Sequence, residues 1–305
     1  MRGKGSKAGA PADISLAGGL KGTRGRETRI AREDRASDEP PVGSHTPPRF
    51  FVEPSMVLGA QIVLSGETFH HAKAQRLSPG ETFTAVLGDT VYSAKVDEIL
   101  QDRLTASIVD RRRAVQPKEK VHLYAALLKG QNFDLVVEKA TELGAYSITP
   151  VVTRRTIPRI EPAKAAERKE RWVKVARSAS EQSGRVSVPE IRDIIRFGDL
   201  IAMAKRDVMP GGVAGSSGLT GSGVAGVRLF GHEHEGLTVD LGQAVRGFDE
   251  ASILIGPEGG LDADEVRDAM DAGFVPVSLG PYILKAETAA IAAVSLLMYH
   301  LRLGL

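Results

Sequence analysis

The chain has 305 residues, 42% hydrophobic and 26% charged, which is enough for two ordinary domains with real cores. Its 40 Lys and Arg nearly balance 38 Asp and Glu, so any basic surface must be local. With no cysteine, thiol nucleophiles, disulfides and Cys-ligated zinc or iron–sulfur clusters are excluded; with no long apolar run and no apolar signal core, a cytoplasmic protein without a membrane partner is expected.

Residues 1–48 carry nine Lys and Arg, six Asp and Glu, much Gly, Ser and Pro, and no aromatic residue. Such a segment buries too little apolar surface to offset its ordering entropy, so it reads as a disordered tail. Folded sequence begins at Arg49-Phe50-Phe51-Val52. From there, segments at 62–64, 82–87, 91–96 and 104–109 alternate as strands do, with turns at Ser78-Pro79-Gly80 and Gly88-Asp89. Residues 67–77, with His70, His71 and Arg76, read as a short helical interruption. Closely spaced strands predict a small β-barrel over residues 49–115. His70 and His71 point apart on a helix and lack a third ligand, so no metal is expected there. Arg111-Arg112-Arg113 and Pro117-Lys118 read as a basic linker.

The period then changes. Residues 121–128 are a continuous apolar run, as in a strand buried on both faces. Asn132 is the expected N-cap of a helix burying Phe133, Val136, Val137, Ala140 and Leu143, with Gly144 as its stop. Residues 147–152 are the next strand, so residues 119–305 form an α/β domain. After that strand, Arg154 and Arg155 stand between Thr153 and Thr156, a group suited to phosphate and equally compatible with a solvated loop. A helix over 161–182 buries Trp172, Ala176 and Ala179 and offers the i,i+4 pairs Glu167–Arg171 and Glu170–Lys174. It ends in Glu181-Gln182-Ser183-Gly184-Arg185. Residues 209–226 hold seven Gly and three Ser and read as a flexible loop. The G-x-G-x-x-G inside it lacks a preceding strand and a following helix, so it is no dinucleotide fingerprint. His232-Glu233-His234-Glu235 reads as a polar loop at the end of the strand 227–230.

Two glycine-bearing turns dominate the C-terminal third. Ile253-Leu254-Ile255 runs into Gly256-Pro257-Glu258-Gly259-Gly260, and the strand 275–279 runs into Gly280-Pro281. Asp262 and Glu265 form a capping box for a helix over 263–272, so the first turn is a tight strand-to-helix connection with bare backbone N–H groups. In an open parallel sheet such turns wall the ligand crevice. The final helix, over 289–301, is apolar nearly all round, which places it in the core or in a subunit interface.

The motif pair I-G-P-E-G-G and L-G-P-Y-I-L-K-A-E-T-A resembles the SPOUT class of S-adenosylmethionine (SAM)-dependent RNA methyltransferases, and within it the RsmE family of uracil-N3 methyltransferases acting on 16S ribosomal RNA. The likeness extends over residues 49–305. It takes in Arg49-Phe50-Phe51-Val52, His71 to Arg76, Lys129, Lys139 with Thr141-Glu142-Leu143-Gly144, and Glu181-Gln182 to Arg185. The resemblance implies a PUA-like N-terminal barrel, a trefoil-knotted domain with a parallel sheet, and a homodimer through the final helix. It implies SAM held by Gly256, Pro257, Gly260, Leu279, Gly280, Ile283, Leu284 and Thr288, and the small ribosomal subunit as partner.

Tyr282 and Lys285 stand where that family usually carries arginine, so any RNA contact made there differs in this chain. Methylation of uracil N3 requires removal of its proton, for which Lys285, Glu287 and Glu258 are the local candidates. Arg49, Arg76, Arg154, Arg155 and Arg185 are the expected phosphate contacts. Two alternatives stand beside this reading: a related enzyme methylating a ribose 2′-hydroxyl, and a non-catalytic RNA-binding relative.

Overall fold

The structure, a computed structural model, describes residues 47–158, 161–206, 226–233, 236 and 238–303. The expected tail up to residue 46, the glycine-rich run at 207–225, and His234 and Glu235 lie outside the described residues.

The N-terminal half of the folded chain is a six-stranded sheet in the order β1-β4-β5-β6-β3-β2: β1 (Arg49–Phe51), β2 (Val57–Leu58), β3 (Gln61–Ser65), β4 (Thr82–Leu87), β5 (Thr90–Ile99) and β6 (Arg103–Arg113). Only the β1–β4 pair is parallel; the others are antiparallel. Alternation sends Phe50, Ile62, Leu64, Phe83, Ala85 and Leu104 to one core, which α1 (Gly66–Ala74) covers with Phe69 and Ala72. Register shifts between Ser93 and Ala94 and between Val96 and Glu98 break the β5–β6 ladder, as bulges do in bent sheets. The helix stops before Arg76, which takes φ 56°, the one positive φ among described non-glycine residues. The supposed linker at 111–113 is strand: β6 runs through it, and Arg113 pairs with Thr90.

The second sheet is parallel throughout, in the order β10-β8-β7-β12-β11-β13, with β9 also on β8. Its strands are β7 (Lys120–Ala126), β8 (Ser147–Val152), β9 (Glu190–Ile191), β10 (Ile195–Arg196), β11 (Val227–Gly231), β12 (Glu250–Ile255) and β13 (Val275–Val277). Apolar residues cover both faces, as the continuous runs predicted. One face packs against α2 (Asn132–Glu142) and α7 (Ala286–Leu303), with Trp172 and Ala176 of α3 (Pro162–Gln182) and Leu241 and Val245 of α5 (Leu241–Val245) in the same core. The other packs against α4 (Phe197–Arg206) and α6 (Ala263–Asp271).

Two local expectations shift. Gln131, not Asn132, is the N-cap of α2, and no side chain caps that end. On α3, Arg171 pairs with Asp134 of α2 and Lys174 with Glu67 of α1, in place of the i,i+4 partners. A long side chain gains little from an exposed neighbour on its own helix, so a tertiary partner can take it. The described residues include no helix long and apolar enough to cross a membrane.

Candidate active site

Five strand ends meet at the carboxyl edge of the parallel sheet. β11 lies between β12 and β13, so the two glycine turns rise on either side of its last residue, Gly231. A Cβ on Gly231 would stand 2.9 Å from Ile255 Cδ1 and 3.8 Å from Leu279 Cδ1, so a larger residue there would have to push the tip of Ile255 aside. The backbone N–H of His232 donates to Val277 O at 3.0 Å and fixes the floor between them. Sequence reasoning missed Gly231; its one signal was a glycine ending the expected strand 227–230.

The first turn is braced from its own side of the sheet. Gly260 N donates to Pro257 O at 2.8 Å, and Gly260 has φ 69°. The capping box on α6 is present as expected, with Asp262 accepting from Asp264 N at 3.0 Å and Glu265 from Asp262 N at 2.9 Å. The loops after β7 and β8 close on the same turn. Lys129 N donates to Glu258 Oε1 at 3.4 Å, and Arg155 Nη1 donates to Gly259 O at 2.6 Å. Arg154 grips the start of α6: its backbone N–H reaches Glu265 at 2.8 Å and its guanidinium pairs with Asp262 and Asp264. Those carboxylates raise the pKa of Arg154, Asp264 first, and Arg154 in turn lowers that of Asp264. Both groups are exposed, so the pair orders the loop more than it stabilises the fold.

The second turn is open. Gly280 has φ 133°, a region closed to other L-residues, and Ser278 Oγ donates to its carbonyl at 3.1 Å. Tyr282 and Ile283 are 81% and 82% exposed, Leu284 is half-buried and Lys285 exposed. Glu287 and Thr288 fall in the first turn of α7, which begins three residues earlier than expected.

A family model described as an RNA methyltransferase domain matches residues 115–298. The ribosomal RNA small subunit methyltransferase E of Mycobacterium bovis is 32% identical over 249 residues, 80% of this chain and 88% of that protein. The chain belongs to the ribosomal RNA small subunit methyltransferase E family. The Bacillus subtilis member is 26% identical over 79% of this chain and 90% of its own length. The Neisseria gonorrhoeae member, a crystal structure bound to S-adenosyl methionine, superposes with a TM-score of 0.69 at 27% identity, covering 84% of this chain and 98% of that one.

For this member of the family, the structure separates the expected arginines. Arg76, Arg154 and Arg155 are exposed, Arg154 and Arg155 at the carboxyl edge. Arg185 is turned inward: Nη1 donates to Thr141 O at 2.6 Å, Nη2 to Ala145 O at 2.9 Å and Nε to Ser187 O at 3.1 Å. Burial lowers its pKa to about 10, so it stays charged at neutral pH while tying the end of α2 and the loop before β8 to the loop after α3. Arg49, half-buried, donates from Nη1 to Arg185 O at 3.1 Å. Beside it, the buried carboxylate of Glu181 accepts from Phe51 N at 3.0 Å and lies 2.9 Å from His71 Nδ1, while Arg177 donates to Phe51 O. Glu181 and Arg185 thus lock β1 and α1 of the first sheet to the transferase domain.

Proposed function

We propose that the chain is a SAM-dependent methyltransferase that methylates N3 of one uridine in 16S ribosomal RNA, forming 3-methyluridine during ribosome maturation in the cytoplasm. The observation that carries the reading is the pair of glycine turns either side of Gly231, in a family named for small-subunit ribosomal RNA. Residues 49–115 serve as the PUA-like RNA-binding domain and 119–305 as the transferase.

The residues present fit the cofactor. Gly256, Pro257 and Gly260 of the first turn and Gly280 of the second let the backbone approach a nucleoside's polar edge closely, and Leu279, Ile283 and Leu284 supply an apolar wall, with Thr288 at the helix start. When bound, SAM supplies an electrophilic methyl group on a sulfonium. The uracil N3 proton passes to Glu258 or Glu287, and Lys285 offsets the charge that develops on the base. Glu258 has one oxygen held by the Lys129 amide, which leaves the other to accept. Arg49, Arg76, Arg154 and Arg155 hold phosphates, and Arg185 organises Arg49. An arginine at the αL position of Arg76 costs about 1 kcal/mol relative to the glycine that helix ends favour, which supports a role beyond folding.

A trefoil knot is supported by the chain path: residues 278–285 lead from edge strand β13 back to α7, which packs on β7 and β12. A homodimer is supported by the outer face of α7, where Tyr299 and Leu303 are 59% and 51% exposed beside half-buried Ile291, Ala292 and Leu296. Nucleoside mass spectrometry of 16S RNA from a deletion strain tests the reaction. Loss of 3-methyluridine, restored by the wild-type gene, is expected. An unchanged level rejects it, loss of a 2′-O-methyl nucleoside favours the ribose alternative, and no SAM binding by calorimetry rejects both enzymes.

A further inference from the structure

Residues 111–113 are basic in the way of a linker, but the β5–β6 ladder continues through them. Tyr92 pairs with Arg111, Val91 with Arg112 and Thr90 with Arg113, and Ala114 N donates to Asp89 O at 2.7 Å. In a loop, three adjacent guanidiniums would splay apart to relieve their repulsion. In a strand their backbones are held in register, against Tyr92, Val91 and Thr90 in turn. All three are exposed, and with Asp89 and Thr90 they line a cavity of about 420 Å³.

The lining thus carries three arginines to one aspartate, and among the described residues no ion pair engages any of the three. Like charges fixed at this spacing oppose folding unless an anion joins them. The cluster also reaches the domain seam. Burial first, and Arg112 second, lower the pKa of Arg49, whose guanidinium is bonded to the Arg185 carbonyl. Folding alone gives no reason to keep four guanidiniums so placed.

We propose that the cavity formed by Arg111, Arg112, Arg113, Asp89 and Thr90 at the end of the β5–β6 hairpin seats backbone phosphate of the RNA substrate. The chemistry favours phosphate over a free nucleotide. Forked guanidiniums match phosphate oxygens in pairs, and the lining offers no aromatic or apolar wall for a base, since the neighbouring Tyr92 and Val91 are buried and outside it. The contact therefore adds affinity and register without reading sequence. This rests on the reading above that RNA is the substrate, and it gives the first sheet a grip separate from the methyl-transfer turns.

The test uses the full chain with SAM bound and reads RNA binding directly, by anisotropy of a labelled 16S RNA fragment and with intact small subunits, over a range of KCl. Arg111→Gln with Arg113→Gln keeps side-chain length and removes two charges. SAM affinity should be unchanged and RNA affinity should fall about tenfold or more near physiological salt. The slope of log K against log salt should flatten by roughly 1.4–1.8, at about 0.7–0.9 for each lost phosphate contact. Arg111→Lys with Arg113→Lys should recover the slope, which separates charge from fold. Unchanged affinity and slope in the glutamine variant overturn the proposal. So does a defect on intact subunits that is absent on protein-free RNA, which would point to an acidic protein segment as the occupant. Failure of the wild-type chain to methylate any RNA would sink the proposed function, yet the binding slopes would still decide the cavity.

Discussion

The two ends of the parallel sheet, built from the same strands, are finished in opposite ways. At the amino end, His122 of β7 bridges its neighbours: Nδ1 lies 2.7 Å from Ser147 Oγ on β8 and Nε2 lies 2.8 Å from Glu250 Oε1 on β12. The Tyr146 ring packs edge-on to His122, and Lys120 Nζ sits 5.1 Å from its centroid. Side chains satisfy one another there, and His122 and Ser147 are sealed from water. At the carboxyl end the strands run into glycine turns, bare backbone and the exposed pair Tyr282 and Ile283. The contrast teaches where the fold keeps its stability and where it keeps its chemistry. Parallel connections put every strand's outgoing turn on one edge, so that edge serves a ligand and the other can be closed.

The largest effect should follow from closing the open end. Gly280→Ala forces an L-side chain into φ 133°, a strain of about 1–3 kcal/mol that the turn relieves by moving. SAM affinity measured by calorimetry should fall roughly ten- to a hundredfold, at about 1.4 kcal/mol per tenfold. The melting temperature should change little; if stability falls and SAM affinity holds, the turn belongs to folding and the contrast fails.

Opening the closed end should act on stability instead. Burial, outweighing the favourable Glu250 carboxylate, lowers the pKa of His122 below its ordinary 6.5. The unfolded chain therefore takes up this proton first, so the contribution is full above the ordinary value and is lost as pH falls below it. Between pH 7.5 and 5.5 the melting temperature should drop, by roughly 2–4 °C per kcal/mol lost. His122→Gln should cost about 1–3 kcal/mol at neutral pH and flatten that dependence, with SAM affinity retained. An equally steep pH dependence in the variant would remove His122 as the cause.

The smallest change in stability belongs to Tyr282→Arg, which introduces the arginine that the motif resemblance leads one to expect there. An exposed position should shift stability by less than about 0.5 kcal/mol. The KM for RNA should move severalfold with SAM affinity constant; a shift in SAM affinity alone would make Tyr282 a cofactor residue.

Much of the candidate site's scaffold was legible in the sequence. Asp262 and Glu265 announce their helix because capping is chemistry between residues three apart, and residues 253–260 announce a strand and its turn for the same local reason. The arginines were not legible. Arg154 and Arg155 read alike in the chain, yet one clamps Asp262 and Asp264 while the other reaches the Gly259 carbonyl. Arg185 looked like a phosphate contact and proved to be tied to three carbonyls. A guanidinium spans several ångströms on flexible bonds, so its partner is set by whichever acceptor packing brings near.

By itself, then, the amino-acid sequence determined the elements, the change from an alternating period to buried strands near residue 119, and the two turns with their glycines. These follow from backbone preference and side-chain period, which act over a few residues. Only the tertiary structure decided that β11 would stand between β12 and β13 with Gly231 as the floor, that β6 would carry three arginines into a cavity, and that Glu181 would lock the first sheet to the second. Strand order and long side-chain partners depend on the burial of whole faces at once, and no local window contains that sum.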